Sequence, residues 1–139
     1  MERQRVRRRW FLGYAAVLLT TLPAALPCWN AFLKETVGRV LSIQAIHVVE
    51  YLGLGLLGAW YRRASEQPRR ALVRVLVLVL AVGLADELVQ GLLPQRLFEW
   101  SDVWLNWCGG VGGVGAGELA GWLSWKRRRA AAPSKESSD

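Results

Sequence analysis

The chain has little of the residue types from which many catalytic and metal sites are built. It contains one histidine and two cysteines in 139 residues. Two cysteines provide neither a cysteine-rich zinc motif nor a disulfide framework. The single histidine, His47, leaves no second imidazole to serve as base for a nucleophile, and Ser101 is the only serine near the acidic residues described below. These shortages exclude the common nucleophilic hydrolase sites.

Apolar residues, by contrast, make up 53% of the chain and fall into long runs. A helix needs about 20 apolar residues to cross the hydrocarbon layer. Four runs meet that length and nearly exhaust the sequence: Trp10–Trp29, Val40–Trp60, Leu72–Leu93 and Val103–Trp125. The pattern predicts an all-α integral membrane protein with four transmembrane helices.

Basic residues lie between these runs and predict the orientation of the spans. All of the 18 Lys and Arg residues except Lys34, Arg39 and Arg96 lie in the first nine residues, between 61 and 74, or after 125. The positive-inside rule therefore places both termini in the cytoplasm. The chain divides into a basic cytoplasmic amino terminus (1–9), a membrane domain (10–125) and a cytoplasmic tail (126–139), basic at first and then disordered. Because the basic residues are not interleaved with exposed aromatics, no nucleic-acid partner is predicted.

Several polar side chains interrupt the apolar runs, although a charge at bilayer depth costs about 2.5–3.5 kcal/mol. They are His47 and Glu50 in the second span, Asp86, Glu87 and Gln90 in the third, and Asn106 and Glu118 in the fourth. His47 and Asp86 lie at equal depths from the outer surface and can meet. The apolar external loop 94–101 is expected to dip into the membrane and carry Arg96 towards Asp86 or Asp102. We therefore predict a polar pocket open to the outside.

Other interpretations of these residues remain open. Ser101 and Asp102 could simply cap the fourth helix, and His47 and Glu50 could form a hydrogen-bonded pair with no further role. In the cytoplasmic half, Glu118 and Arg74 lie at similar depths and predict a structural ion pair.

Glycines in the fourth span recur every four residues, at Gly109, Gly113, Gly117 and Gly121. Such a stripe of small residues is typical of close helix packing. The partner could be another helix of the chain or a second copy, which would make a homodimer. Cys28 and Cys108 could form a disulfide if the first and fourth helices are neighbours.

Three blocks of residues carry a resemblance to a known family. They are His47-x-x-x-Tyr51-x-x-Leu54, Asp86-Glu87-x-x-Gln90, and Pro94-x-Arg96 followed by Ser101-Asp102-x-x-x-Asn106-x-x-Gly109. From about Ile46 to Gly113 the chain resembles the VanZ-like family of small bacterial membrane proteins, named for a component of resistance clusters associated with teicoplanin. The resemblance implies a multi-pass protein of the bacterial plasma membrane. It adds Tyr51 to the candidate pocket, which then comprises His47, Glu50, Tyr51, Asp86, Glu87, Gln90, Arg96, Asp102 and Asn106.

Two classes of function fit this sequence. The first is a non-enzymatic envelope protein whose pocket binds a lipid-linked wall precursor or another anionic surface component and so modulates glycopeptide sensitivity. The second is an intramembrane enzyme or proton-coupled transporter that uses Asp86, Glu87 and His47. We expect no cofactor and assign no metal site, although a metal-dependent variant of the second class would use His47, Glu50 and Asp86 as ligands.

Overall fold

The computed structural model describes residues 2–21, 43–92 and 97–131. Within these ranges the chain forms four helices: α1 (Glu2–Thr21), α2 (Ile43–Arg62), α3 (Pro68–Gln90) and α4 (Trp100–Ala130). The predicted all-α class and four-helix organisation are confirmed. In the described part of the chain, no helix combines the length and the apolar character needed to cross a membrane.

Helices that follow one another in the chain run in opposite directions. Arg7 donates a hydrogen bond to the Trp60 carbonyl oxygen at 2.9 Å, and Tyr14, one to two turns later, donates to the Glu50 carbonyl oxygen at 3.2 Å. Because the residue numbers rise on α1 as they fall on α2, these two helices are antiparallel. The same reversal relates α2 to α3 and α3 to α4, where the contacting pairs are Tyr51 with Val82, Gly58 with Val75, Asn106 with Gly83, and Gly110 with Val79.

The glycine stripe of α4 packs on α2 within the same chain. A Cβ atom at Gly109 would lie 2.6 Å from the Val48 carbonyl oxygen, and one at Gly113 would collide with the Leu52 carbonyl oxygen. The two helices are therefore parallel and in near backbone contact. Of the two partners that the sequence left open for this face, the structure places the helix of the same chain against it.

One stripe of α3 faces the core and changes character along the helix. Val75, Val79 and Val82 are buried at helical spacing against aromatic and aliphatic side chains of α1 and α2. The same stripe continues to Asp86 and then to Gln90, which are also buried. The core is thus apolar over most of its length and polar at one end.

An ion pair joins α2 to α4 at the opposite end. Arg62 Nε donates to Glu118 Oε1 at 2.6 Å, and the terminal nitrogen Nη2 pairs with Oε2. The predicted partner of Glu118, Arg74, is exposed on α3, so that pairing is wrong. The parallel packing of α2 on α4 brings Arg62 to this depth, whereas similar depth alone did not show which helix faces Glu118. The hydrogen bond to Glu118 raises the pKa of Arg62 above its ordinary value.

Loss of this pair should weaken the fold modestly. We expect Glu118→Gln to lower the free energy of unfolding by about 1 kcal/mol or less, because both side chains are partly exposed. Thermal unfolding of purified protein measures the change, and Arg74→Gln is the matched control with no expected effect. In an Arg62→Gln background, Glu118→Gln should cost nothing further. Additive losses would show that the two groups do not interact.

Candidate functional site

Polar side chains from three helices meet at the polar end of the core. They come from the start of α2, the end of α3 and the start of α4, and all are at most 4% exposed. We call them the polar cluster: His47, Tyr51, Asp86, Glu87, Gln90 and Asn106. The sequence predicted a pocket open to the outside, whereas these side chains are closed off from solvent. The close packing of α2 on α4 explains the difference, because it leaves little space between the helices that carry them.

His47 is the point at which the two carboxylates of α3 converge. One nitrogen of its ring and one oxygen each of Asp86 and Glu87 lie within 4.8 Å of one another. Adjacent residues on a helix point about 100° apart, and the sequence makes both carboxylates candidates for the pocket. The structure brings both to the imidazole, because α3 presents this edge to α2.

Tyr51 connects the apolar and polar parts of the core. Its hydroxyl lies 3.3 Å from the Val82 carbonyl oxygen and 3.3 Å from Asp86 Oδ2, and it can donate its one proton to either. The ring is completely buried, so its position is set by packing. Tyr51 therefore fixes the orientation of the Asp86 carboxylate.

Glu50 stands beside the cluster and is only partly buried. Neither its Oε2 atom nor His47 Nδ1 has a hydrogen-bond partner among the described residues. The structure thus does not contain the hydrogen-bonded pair of His47 and Glu50 that the spacing allowed. It also groups Glu87, in place of Glu50, with His47 and Asp86.

Asn106 closes the cluster from α4. Its side-chain amide donates to the Gly83 carbonyl oxygen at 3.4 Å, while its Oδ1 atom is buried without a partner in the described structure. On the next residue, Trp107 Nε1 donates to the Leu80 carbonyl oxygen at 2.9 Å. A Cβ atom at Gly83 would lie 3.0 Å from the Trp107 ring, so glycine is what allows α3 and α4 to approach here.

Other predicted residues lie at the edge of the site or outside the described ranges. Asp102 is partly buried in the first turn of α4, where the helix dipole favours a carboxylate. The cap position is Glu99, with no side-chain cap, so the proposed capping by Ser101 is wrong. Cys108 is exposed with a free thiol. Arg96 and the two residues before it in the segment predicted to dip into the membrane lie outside the described residues, as does Cys28.

Two contributors were missed by sequence reasoning. Tyr14 holds the backbone of α2 beside the site through its bond to the Glu50 carbonyl oxygen, and nothing in the pattern of α1 distinguishes it from an interfacial aromatic. Gly55 sits where α2 and α4 touch, since a Cβ atom there would collide with the Gly110 carbonyl oxygen. The run of glycines at 53, 55 and 58 was an available signal that α2 receives the glycine stripe of α4.

Comparison with known proteins gives one clear result. The model of the VanZ/LLP1 family matches residues 11–121, which contain every member of the polar cluster. No curated protein and no solved structure matches the chain significantly. The chain therefore belongs to the VanZ/LLP1 family, and the resemblance seen in the sequence is confirmed.

Proposed function

Because the chain belongs to the VanZ/LLP1 family, we propose that it is a multi-pass protein of the bacterial plasma membrane with a ligand site at the polar cluster. The distribution of side chains carries this proposal. Large apolar residues face outward on three helices, among them Val73 and Val77 at 60% exposure and Leu119 at 56%, while ionisable residues are buried between the helices. In water, exposed apolar side chains and buried ionisable side chains both cost free energy. In a lipid bilayer, apolar side chains are favoured on the outside of the bundle and ionisable side chains on the inside.

Contacts at the basic end of the bundle support an orientation in the membrane. Arg7 lies over the Trp60 ring at 4.7 Å, and Arg62 binds Glu118 near the end of α2. The basic ends of α1, α2, α3 and α4 thus belong to one end of the bundle, and the polar cluster lies towards the other. With both termini in the cytoplasm under the positive-inside rule, the cluster occupies the outer half of the membrane.

This orientation is testable with the full chain. Reporter fusions at the amino and carboxyl termini should both report a cytoplasmic location, and the protein should stay in the membrane fraction after an alkaline carbonate wash. A cysteine introduced at the exposed Leu97, before α4, should react with an impermeant thiol reagent on intact cells in a Cys28→Ser, Cys108→Ser background. Release by carbonate would overturn the membrane assignment.

The polar cluster lies towards the outer end of the bundle, so the proposed ligand is a cell-surface or lipid-linked wall component, and its binding requires the closed cluster to open. The cluster offers the amide groups of Gln90 and Asn106 and the imidazole of His47 as polar contacts, and Arg96 supplies a cation in the adjoining loop of the sequence. Occupation of a wall precursor would reduce the amount that a glycopeptide antibiotic can bind. Lower teicoplanin sensitivity is the expected consequence.

Antibiotic susceptibility of cells that express the protein tests this function. Wild type should raise the teicoplanin concentration needed to stop growth, and Asp86→Asn, His47→Ala and Arg96→Ala should lose the effect at matched membrane abundance. Glu66→Gln, a change at an exposed carboxylate of the connection between α2 and α3, is the control and should behave as wild type. If the pocket variants protect cells as well as wild type, the polar cluster is not the site.

A second function is favoured by one observation, the convergence of His47 on Asp86 and Glu87. Groups within this distance can exchange protons through one intervening water or after a side-chain rotation, as an intramembrane enzyme or proton-coupled transporter requires. This function predicts an activity that depends on external pH and is lost in Asp86→Asn and Glu87→Gln. It becomes the leading candidate if wild type leaves teicoplanin sensitivity unchanged.

A further inference from the structure

We propose that His47, Asp86 and Glu87 bind a divalent transition-metal ion, with zinc the preferred ion. These residues supply one nitrogen and two carboxylate oxygens, and their nearest ligand atoms lie within 4.8 Å of one another. Ligand atoms on a tetrahedral zinc ion are about 3.4 Å apart, given bond lengths near 2.1 Å. Small side-chain rotations would close that difference, because all three residues already converge from two packed helices.

A second observation points to a ligand at the same place. His47 is 4% exposed, and its Nδ1 atom has no hydrogen-bond partner among the described residues. A buried imidazole nitrogen without a partner loses the interaction that it has with water. A metal ion at this position would bind one nitrogen of the ring, and the ring proton would then lie on the other nitrogen.

Charge favours a cation at the same position. Asp86 and Glu87 each bring a carboxylate to the His47 ring, and the partly buried Glu50 on the facing helix adds a third acidic group nearby. Carboxylate oxygens attract a divalent cation. The Tyr51 hydroxyl, 3.3 Å from Asp86 Oδ2, would then act as the outer hydrogen-bond partner that orients a metal-binding carboxylate.

Three protein ligands leave a coordination position open on a four-coordinate ion. In the outer half of the membrane, an oxygen of a phosphate group could fill it, which would allow an acidic cluster to bind an anionic headgroup. This last step rests on the proposed function, whereas metal binding itself does not. Imidazole with two carboxylates suits zinc, and manganese accepts the same set with a greater preference for oxygen.

Metal binding can be measured on the purified full-length protein after treatment with a chelator. Competition against a chromophoric zinc chelator should show one zinc ion per chain. His47→Gln, Asp86→Asn and Glu87→Gln should each weaken binding by more than about tenfold, the least that loss of an outer-shell partner costs. Glu66→Gln is the control, since Glu66 is an exposed carboxylate in the connection between α2 and α3, and it should stay within about twofold of wild type.

A variant that folds poorly could fail to bind zinc for that reason alone. The unfolding temperature of wild type with and without zinc is therefore a second measurement, which does not depend on the variants. Wild type should unfold at a higher temperature when zinc is added, as any ligand of the native state requires. Cobalt substituted for zinc should give the visible absorption of a tetrahedral site, and a parallel manganese titration identifies the preferred ion. Substoichiometric zinc with no thermal shift, or equal binding by the three ligand variants, would overturn the proposal.

Two further measurements separate the failure of this site from failure of the proposed function. Binding of inorganic phosphate or of vesicles with diphosphate headgroups should require both zinc and intact ligands. If zinc binds and no headgroup does, the metal site stands and the wall-ligand function fails. If Arg96→Gln is needed before zinc binds, an arginine counter-ion holds this position in the native protein and the metal proposal is wrong.

Discussion

The substitution Gly113→Leu should abolish folding of the chain. A Cβ atom at Gly113 would collide with the Leu52 carbonyl oxygen and lie 2.9 Å from the carbonyl carbon, so the conflict is with backbone, which no side-chain rotation relieves. The helix α4 would have to move away from α2 along the whole glycine stripe. We expect a loss of more than about 3 kcal/mol, at or beyond the usual cost of overpacking a core. The yield of monodisperse protein after detergent extraction measures it.

The neighbouring glycine provides a matched control on the same helix. A Cβ atom at Gly112 would meet nothing within 4 Å. Leucine favours a helix over glycine by up to about 1 kcal/mol, so Gly112→Leu should leave folding unchanged or improve it. Comparable yields of the two variants would show that α4 does not pack on α2 through this face.

The helices themselves were predictable because long apolar runs leave few alternatives. The second apolar run, Val40–Trp60, compares with α2 at Ile43–Arg62, and the third, Leu72–Leu93, with α3 at Pro68–Gln90. α4 extends to Ala130, beyond the predicted end of the fourth span at Trp125, since Arg127–Arg129 are good helix formers and lie at the favourable end of the helix dipole. Hydrophobicity therefore located the helices better than it located their ends.

Partners across helices were harder to predict, because a sequence gives depth along a helix but not the rotation of one helix against another. Glu118 could reach either arginine by depth, and only the parallel contact between α2 and α4 selects Arg62 over Arg74. The same rotation places both Asp86 and Glu87 against His47, an arrangement that depth along the helix did not specify. The glycine stripe was visible in the sequence, but its partner depended on this rotation too.

Asparagine in place of Asp86 should remove the zinc response of the protein together with its function. The carboxylate of Asp86 is completely buried and lies close to the Glu87 carboxylate and the His47 imidazole, so asparagine removes one charged ligand from this group. Asparagine has nearly the same shape, and its Oδ1 atom can still accept the Tyr51 hydrogen bond. We expect the rise in unfolding temperature that zinc gives wild type to be absent in the variant, measured by thermal unfolding beside the zinc and teicoplanin assays.

The response to zinc distinguishes a functional cluster from polar residues that only hold helices together. Were Asp86 retained for helix association alone, asparagine would lower stability with or without zinc, in the way that Asn106→Ala should by deleting the bond to the Gly83 carbonyl oxygen. If Asp86 is a zinc ligand, zinc stabilises wild type through this carboxylate and cannot stabilise the variant equally. An equal rise in unfolding temperature on addition of zinc to wild type and to Asp86→Asn would therefore identify the carboxylate as structural.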